Sequence, residues 1–157
     1  MKKLAIVIPA YKGAFLEETL KSINDQTNKD FNLYIGNDNS KDDLYKIVSK
    51  YEDYIDITYK HFESNLGEKD LVAQWERCID LIKDEEWIWL FSDDDLMTPE
   101  CVASFYENLK NNPESDLFHF TMQCIDNENN PTGKINDFSG IFNVEDFLIN
   151  NIQFKIT

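Results

Sequence analysis

The sequence predicts an α/β protein built on a mostly parallel sheet flanked by helices. Three observations carry that expectation. Short apolar runs rich in β-branched and aromatic residues alternate with stretches of helical period. One of them, Trp87-Ile88-Trp89-Leu90-Phe91, is apolar throughout, the pattern of a strand buried on both faces. Directly behind it stand Ser92-Asp93-Asp94-Asp95, where a strand leaves its sheet and open α/β folds bind ligands.

The elements follow in order. A first strand is expected over Leu4–Ile8, stopped by Pro9. Leu16, Leu20 and Ile23 then share one face of a helix. Strands are expected over Phe31–Gly36 and Ile55–Tyr59. Leu71, Trp75, Cys78 and Ile82 fall on one side of a further helix, which leads into Trp87–Phe91. Thr98-Pro99-Glu100 reads as a helix start, with a hydroxyl N-cap, proline at N1 and an acid near the positive dipole end. Asn111-Asn112-Pro113 closes that helix, and a fifth strand is expected over Asp116–Met122. Asp126 to Gly133 is a polar loop or hairpin, and Phe142 to Ile149 opens another helix. The last residues, Ile152 to Thr157, form an apolar strand-like run, which predicts a domain cut short at its C-terminal side. Strand–helix–strand repetition calls for right-handed crossovers.

Composition narrows the function classes. The chain has 157 residues, 42% of them hydrophobic, enough for one domain with a sizeable core. A formal charge of -15 argues against nucleic acid or an anionic membrane as partner. The same charge opposes any phosphate-bearing ligand unless a divalent cation offsets it locally. Cys78, Cys101 and Cys124 are odd in number, widely spaced and without a CxxC pattern, so they read as reduced, mostly buried thiols of a cytosolic protein. The N-terminal apolar run is too short for a signal peptide, and no segment reaches transmembrane length.

Three strand ends carry the candidate chemistry: Pro9-Ala10-Tyr11-Lys12, Asn37-Asp38-Asn39-Ser40 and Asp93-Asp94-Asp95. In a doubly wound sheet such loops converge on one crevice. The clustered carboxylates should have raised pKa values without a cation among them, and their hard oxygens suit Mg²⁺, Mn²⁺ or Ca²⁺. A solvated acidic turn is the competing reading. Tyr11 can stack on a flat base, and Asp38 can accept an N–H from a pyrimidine ring. Asn37 to Ser40 are also all turn formers, so taken alone they read first as a plain β-turn. His61 and His119 read as packing or surface residues, and Trp75, Trp87 and Trp89 as core.

Together these residues resemble the family 2 glycosyltransferases of the GT-A fold. Ile6-Val7-Ile8-Pro9-Ala10-Tyr11 matches that family's opening strand, and Leu20-Lys21-Ser22-Ile23 with Gln26-Thr27 its TLxSIxxQT helix. Asn37-Asp38-Asn39-Ser40-Lys41-Asp42 stands where the family has DDGSxD, and Asn65-Leu66-Gly67 matches NxG. Ser92-Asp93-Asp94-Asp95 with Pro99 sits on DxDD and its trailing proline. The likeness covers residues 4 to about 110.

The resemblance implies one Rossmann-like GT-A domain over residues 1–157, with a donor-binding part to about 110 and an acceptor-side part from 111. It implies transfer of a sugar, with inversion, from a nucleotide-diphosphate sugar (a UDP-sugar favoured) to a hydroxyl of a glycan or lipid-linked acceptor. Pro9, Ala10, Tyr11 and Asp38 would line the base pocket and Asp93 would approach the ribose. Asp94 and Asp95 would hold Mn²⁺ or Mg²⁺ against the diphosphate, or Asp93 and Asp95 if the DxD register shifts by one residue. The implied setting is cytoplasmic, at or near the inner membrane face, in polysaccharide assembly, with a homo-oligomer left open.

Several positions depart from the family. Asn37 and Asn39 replace an Asp and the Gly of DDGS, although Asn tolerates the left-handed conformation that a glycine would supply. Ser92 replaces the first acid of DxDD, and Gln74-Trp75-Glu76 replaces an asparagine-bearing helix. The general base is not identified, since Asp126 and Asp137 both sit in polar turns. Two rival readings remain from other classes, a donor-binding domain without turnover and a metal-dependent phosphotransferase. The second would want an acid after the first strand, where Pro9-Ala10-Tyr11 has none. A helix–loop–helix calcium motif fails, because its glycine and glutamate positions are Asp43 and Ser49 counted from Asp38.

Overall fold

The computed structural model of the chain describes residues 3–136, 140–143 and 145. It divides into two compact units, residues 1–113 and 114–157.

The first unit holds a four-stranded, wholly parallel sheet of order β3-β2-β1-β4, from β1 (Leu4–Ala10), β2 (Phe31–Asn37), β3 (Ile57–His61) and β4 (Trp87–Leu90). The helices α1 (Leu16–Asn24), α2 (Leu44–Val48) and α3 (Leu71–Ile79) connect these strands, and α4 (Cys101–Asn111) follows them. The chain steps outward from β1 to β3 and then returns past β1 to place β4 on its other side. Right-handed crossovers put α1 and α2 on one face and α3 on the opposite face. The gap between β1 and β4 is therefore the switch point of the sheet.

Burial follows from that order. Leu4, Ile6 and Ile8 of β1 pair with Phe31, Leu33 and Ile35 of β2, and all six are buried on one face. Leu16, Leu20 and Ile23 of α1 are fully buried, as their spacing predicts. On the other face Ala5, Val7, Tyr34 and Cys78 form a cluster flanked by Phe62, Ile79, Leu81 and Ile82. Gly36 permits this packing, because a Cβ there would lie 2.3 Å from the Cys78 Sγ.

The fourth strand is not buried on both faces. It lies at a sheet edge, with Ile88 and Leu90 exposed, because α3 lies over β1 and β2. Trp87 and Trp89 are half-buried, Trp87 packing edge-on against Phe105 of α4, whereas Trp75 is exposed. The sheet-facing side of α3 is Gln74 and Cys78, while Leu71 and Trp75 face outward. A buried glutamine displaces the predicted stripe because its amide is satisfied: Nε2 donates to the Gly36 carbonyl at 3.4 Å.

The start of α4 also differs from expectation. The helix begins at Cys101, with Glu100 as a cap residue whose side chain makes no capping bond. The Thr98 and Pro99 carbonyls instead hold the chain after α1, taking the Gln26 amide at 2.8 Å and the Thr27 N–H at 2.9 Å.

The second unit contains an antiparallel hairpin of β5 (Met122–Ile125) and β6 (Pro131–Asn136), so the strand expected over Asp116–Met122 lies further along and outside the parallel sheet. The turn decides its place. Asp126 accepts N–H bonds from Glu128 and Asn130, both at 2.9 Å, and Asn129 adopts a left-handed φ of 63°. Cys124 is exposed and Cys101 half-buried, so only Cys78 is the buried thiol that composition suggested for most of them. The expected helix from Phe142 falls mostly outside the described residues, as do Asp137 and residues 152–157.

Candidate functional site

Pro9 opens the site. Val7 accepts the Phe91 N–H at 2.9 Å, and its pairing with Leu90 is the last between β1 and β4. Two residues on, Pro9 faces the same side and has no N–H to offer, so the β1–β4 ladder ends there. Beyond this point β1 and β4 are no longer paired, and other bonds must join the loops that follow them.

One carboxylate then joins those loops. Asp93 Oδ2 accepts the backbone N–H groups of Tyr11 at 2.7 Å and Lys12 at 3.0 Å, while its own carbonyl accepts the Thr19 hydroxyl at 3.1 Å. Asp94 and Asp95 make no hydrogen bond or ion pair with described residues and are exposed. Partial burial of the Asp95 carboxyl, reinforced by the charges of Asp94 and Asp93, raises its pKa above the usual carboxylate value. Among the described residues no group of three or more His, Cys, Asp or Glu side chains converges as a metal cage. Mg²⁺ needs no such cage, since it is commonly held by one or two carboxylates together with substrate phosphates. The donor chemistry of Asp94 and Asp95 fits that arrangement.

The loop after β2 supplies the other wall. Asp38 is 4% exposed, and its N–H donates to the Ala10 carbonyl at 2.9 Å, fixing it beside Tyr11. Its carboxylate accepts the N–H groups of Leu66 at 2.7 Å and Gly67 at 2.8 Å, and Arg77 pairs with Oδ1. Gly67 is required by this approach, because a Cβ there would sit 2.7 Å from Asp38 Oδ2. Asn37 is committed to the turn: its Oδ1 accepts the Ser40 N–H at 2.8 Å and its amide donates to the Tyr59 hydroxyl at 2.7 Å. Asn39 takes the left-handed φ of 55° that a glycine would otherwise supply. His61 lies 3.1 Å from the Asn37 amide through Nδ1, a supporting contact at the strand end.

Pro9 and Ala10 are thus strand-end residues, half-buried and buried, and Tyr11, which follows them, is 40% exposed. Sequence reasoning missed Arg77 and Gln74. Their signal was a polar pair on α3 three residues apart, at a position where helical period alone favoured Trp75. An open groove of about 550 Å³ is lined by Gly13, Ala14, Asp42, Asp43 and Lys46 and does not include the acidic loop.

The sequence matches the profile of "Glycosyl transferase family 2" over residues 5–156. The chain belongs to that family. Its fold is also that of solved structures of TarS from S. aureus. TarS 1-349 in complex with UDP-GlcNAc is 20% identical, with a TM-score of 0.64 over 71% of this chain and 32% of that one. The complex with UDP gives 20% identity and a TM-score of 0.64, covering 71% and 33%. A longer TarS structure gives 20% and 0.65, covering 71% and 20%. The family 2 chain described here therefore spans about a third or less of the length of those proteins. No curated protein sequence matches it. Among the described residues no helix is long and apolar enough to cross a membrane.

Proposed function

We propose that this chain binds the donor of a family 2 glycosyltransferase that moves a sugar from a UDP-sugar to an acceptor hydroxyl with inversion. The observation that carries the reading is the Asp93 staple. It draws the Tyr11 loop to the acidic loop at the switch point and leaves Asp94 and Asp95 uncommitted. The complexes of the structurally similar TarS with UDP-GlcNAc and UDP support it.

Each residue has a role in this reading. The exposed Tyr11 ring stacks on the base, and Asp38 accepts a ring N–H. Asp93 holds both loops and faces the ribose. Asp94 and Asp95 would hold Mn²⁺ or Mg²⁺, which neutralises a diphosphate and stabilises it as a leaving group. In a chain of net charge -15 the bare carboxylates would otherwise repel the ligand. A general base activates the acceptor hydroxyl in an inverting displacement. Asp126 is poorly suited to it, because the N–H groups of Asn130 and Glu128 lower its pKa and tie it to its turn. The setting in this reading is polysaccharide or glycoconjugate assembly.

Calorimetry with UDP in Mn²⁺ or in chelator tests the proposal. Binding is expected with the metal and absent with chelator, and equal affinity in both would overturn the metal-assisted reading. Donor binding without sugar transfer to any of a panel of acceptors would favour a binding domain over an enzyme.

A further inference from the structure

A polar stripe on α1 bonds to the segment that carries the acidic loop. Thr19, Ser22 and Gln26 follow one another at intervals of three and four residues, so they lie along one side of the helix and just past its end. Thr19 and Gln26 are buried and Ser22 is half-buried. All three meet the backbone of residues 93–102. Thr19 Oγ1 donates to the Asp93 carbonyl at 3.1 Å. Ser22 Oγ accepts the Met97 N–H at 3.1 Å and donates to the Thr19 carbonyl at 2.8 Å, which fixes its own hydroxyl. Gln26 Nε2 donates to the Thr98 carbonyl at 2.8 Å, while its Oε1 accepts the Val102 N–H at 3.0 Å. That last bond caps α4, whose own cap residue Glu100 offers no side-chain bond.

The first two anchors bracket the acidic loop. Only Asp94, Asp95 and Leu96 lie between the Asp93 carbonyl and the Met97 N–H. Side chains three residues apart on a helix are neighbours, about 5–6 Å from each other, whereas four steps of extended chain would reach about 13 Å. The span accordingly turns at Asp93 and Asp94. Adjacent carboxylates repel one another, so a span tied at neither end would splay them. We propose that Thr19 and Ser22 are positioning residues for the acidic loop: they hold the span of Asp94 and Asp95 in one shape with or without a cation. The inference rests on the donor-binding reading above, in which those two carboxylates take Mn²⁺ or Mg²⁺, and extends it to what orders them. Ordering completed on folding is not repeated on binding, which raises affinity without a new contact to the ligand.

The test measures, by calorimetry on the full chain, the Mn²⁺ concentration that gives half-maximal UDP binding. Thr19→Val keeps the branched shape but removes the hydroxyl, and Ser22→Ala leaves the Met97 N–H without its acceptor. Each should raise that concentration by up to about tenfold, the worth of one hydrogen bond. Thr19→Ser keeps the hydroxyl and loses only a buried methyl group, so stability should fall while the Mn²⁺ requirement stays at the parent value. Tyr34→Phe is a second control, because it weakens the fold through Glu85, at the other end of β4. If Thr19→Val does not fold, Ser22→Ala decides, since Ser22 is only half-buried. A Mn²⁺ requirement unchanged in the folded hydroxyl-free variants, or raised as much by either control, would make the stripe merely structural and overturn the inference alone. A parent that binds no UDP, or binds it equally without Mn²⁺, would overturn the metal-assisted donor reading, and the inference with it.

Discussion

Asp93 and Tyr11 stand 82 positions apart, yet the carboxylate of one accepts the backbone N–H of the other at 2.7 Å. The contact ties the loop after β4 to the loop after β1 at the switch point of the parallel sheet. Asp93→Ala leaves the Tyr11 and Lys12 N–H groups without this acceptor. We expect a loss of about 1 kcal/mol of stability and weaker UDP binding. Asp94→Ala should leave stability within about 0.5 kcal/mol while abolishing metal-dependent binding. Chemical denaturation and calorimetry on both variants check the contrast, and equal destabilisation by the two would contradict it.

Gly67→Ala places a methyl group within 2.7 Å of Asp38 Oδ2. The loop must withdraw from the carboxylate, at a cost of roughly 1–3 kcal/mol, and UDP affinity should drop along with stability. A variant as stable as the parent would show that the loop has slack which the geometry does not suggest.

Gly36→Ala brings a Cβ within 2.3 Å of the Cys78 Sγ. The single variant should be strongly destabilised, and Cys78→Ala in the same chain should recover part of the loss. Coupling of neighbours in contact is typically about 0.5–3 kcal/mol, so a double-mutant cycle by denaturation measures it. Strict additivity would mean that the helix moves as a whole.

The three thiols should react in order of burial. Cys124 is exposed and should be alkylated first, and Cys101 more slowly. Burial pushes the Cys78 thiol up to about 12, with Asp38 adding to the rise and Arg77 opposing it, so Cys78 should react only on unfolding. Mass spectrometry after timed alkylation gives the order, and early labelling of Cys78 would refute it.

Glu85 should contribute to acid sensitivity. Burial works to raise its pKa, but hydrogen bonds from the Asn32 amide and the Tyr34 hydroxyl outweigh this, and the value falls below the ordinary 4.5. A carboxyl whose pKa is lower folded than unfolded adds stability above the unfolded value, and loses it as pH falls through the folded one. Tyr34→Phe should therefore reduce stability at neutral pH and flatten the decline below pH 4.5. Urea unfolding across that range tests it, and parallel curves for the two proteins would contradict it.

Much of the first unit was legible in the sequence because strand, turn and motif signals agree there. Leu4 to Ile8 and Phe31 to Gly36 are apolar runs, and both are central strands. The Asn39 substitution kept its turn for the reason the residue type suggests. Where reading failed, a tertiary partner decided. Trp87 to Leu90 looks doubly buried because its side chains are apolar, but edge or centre is set by the neighbouring strands. Gln74 looks solvent-facing until the Gly36 carbonyl satisfies it. The role of Asp38 in holding Leu66 and Gly67 joins loops 28 and 29 residues apart, and no local pattern announces it.

Pro9 has one more consequence, for where the pairing of β1 with β4 stops. β1 continues to Ala10 while its pairing with β4 ends at Val7, an overhang of three residues, or about 10 Å of strand. Two parallel strands tend to zip until something stops them. Here the stop is a missing hydrogen atom on a ring nitrogen, which no thermal fluctuation can restore. The place where the pairing stops is thus set by covalent structure, and the loops beyond it are joined by the Asp93 carboxylate and not by further ladder bonds.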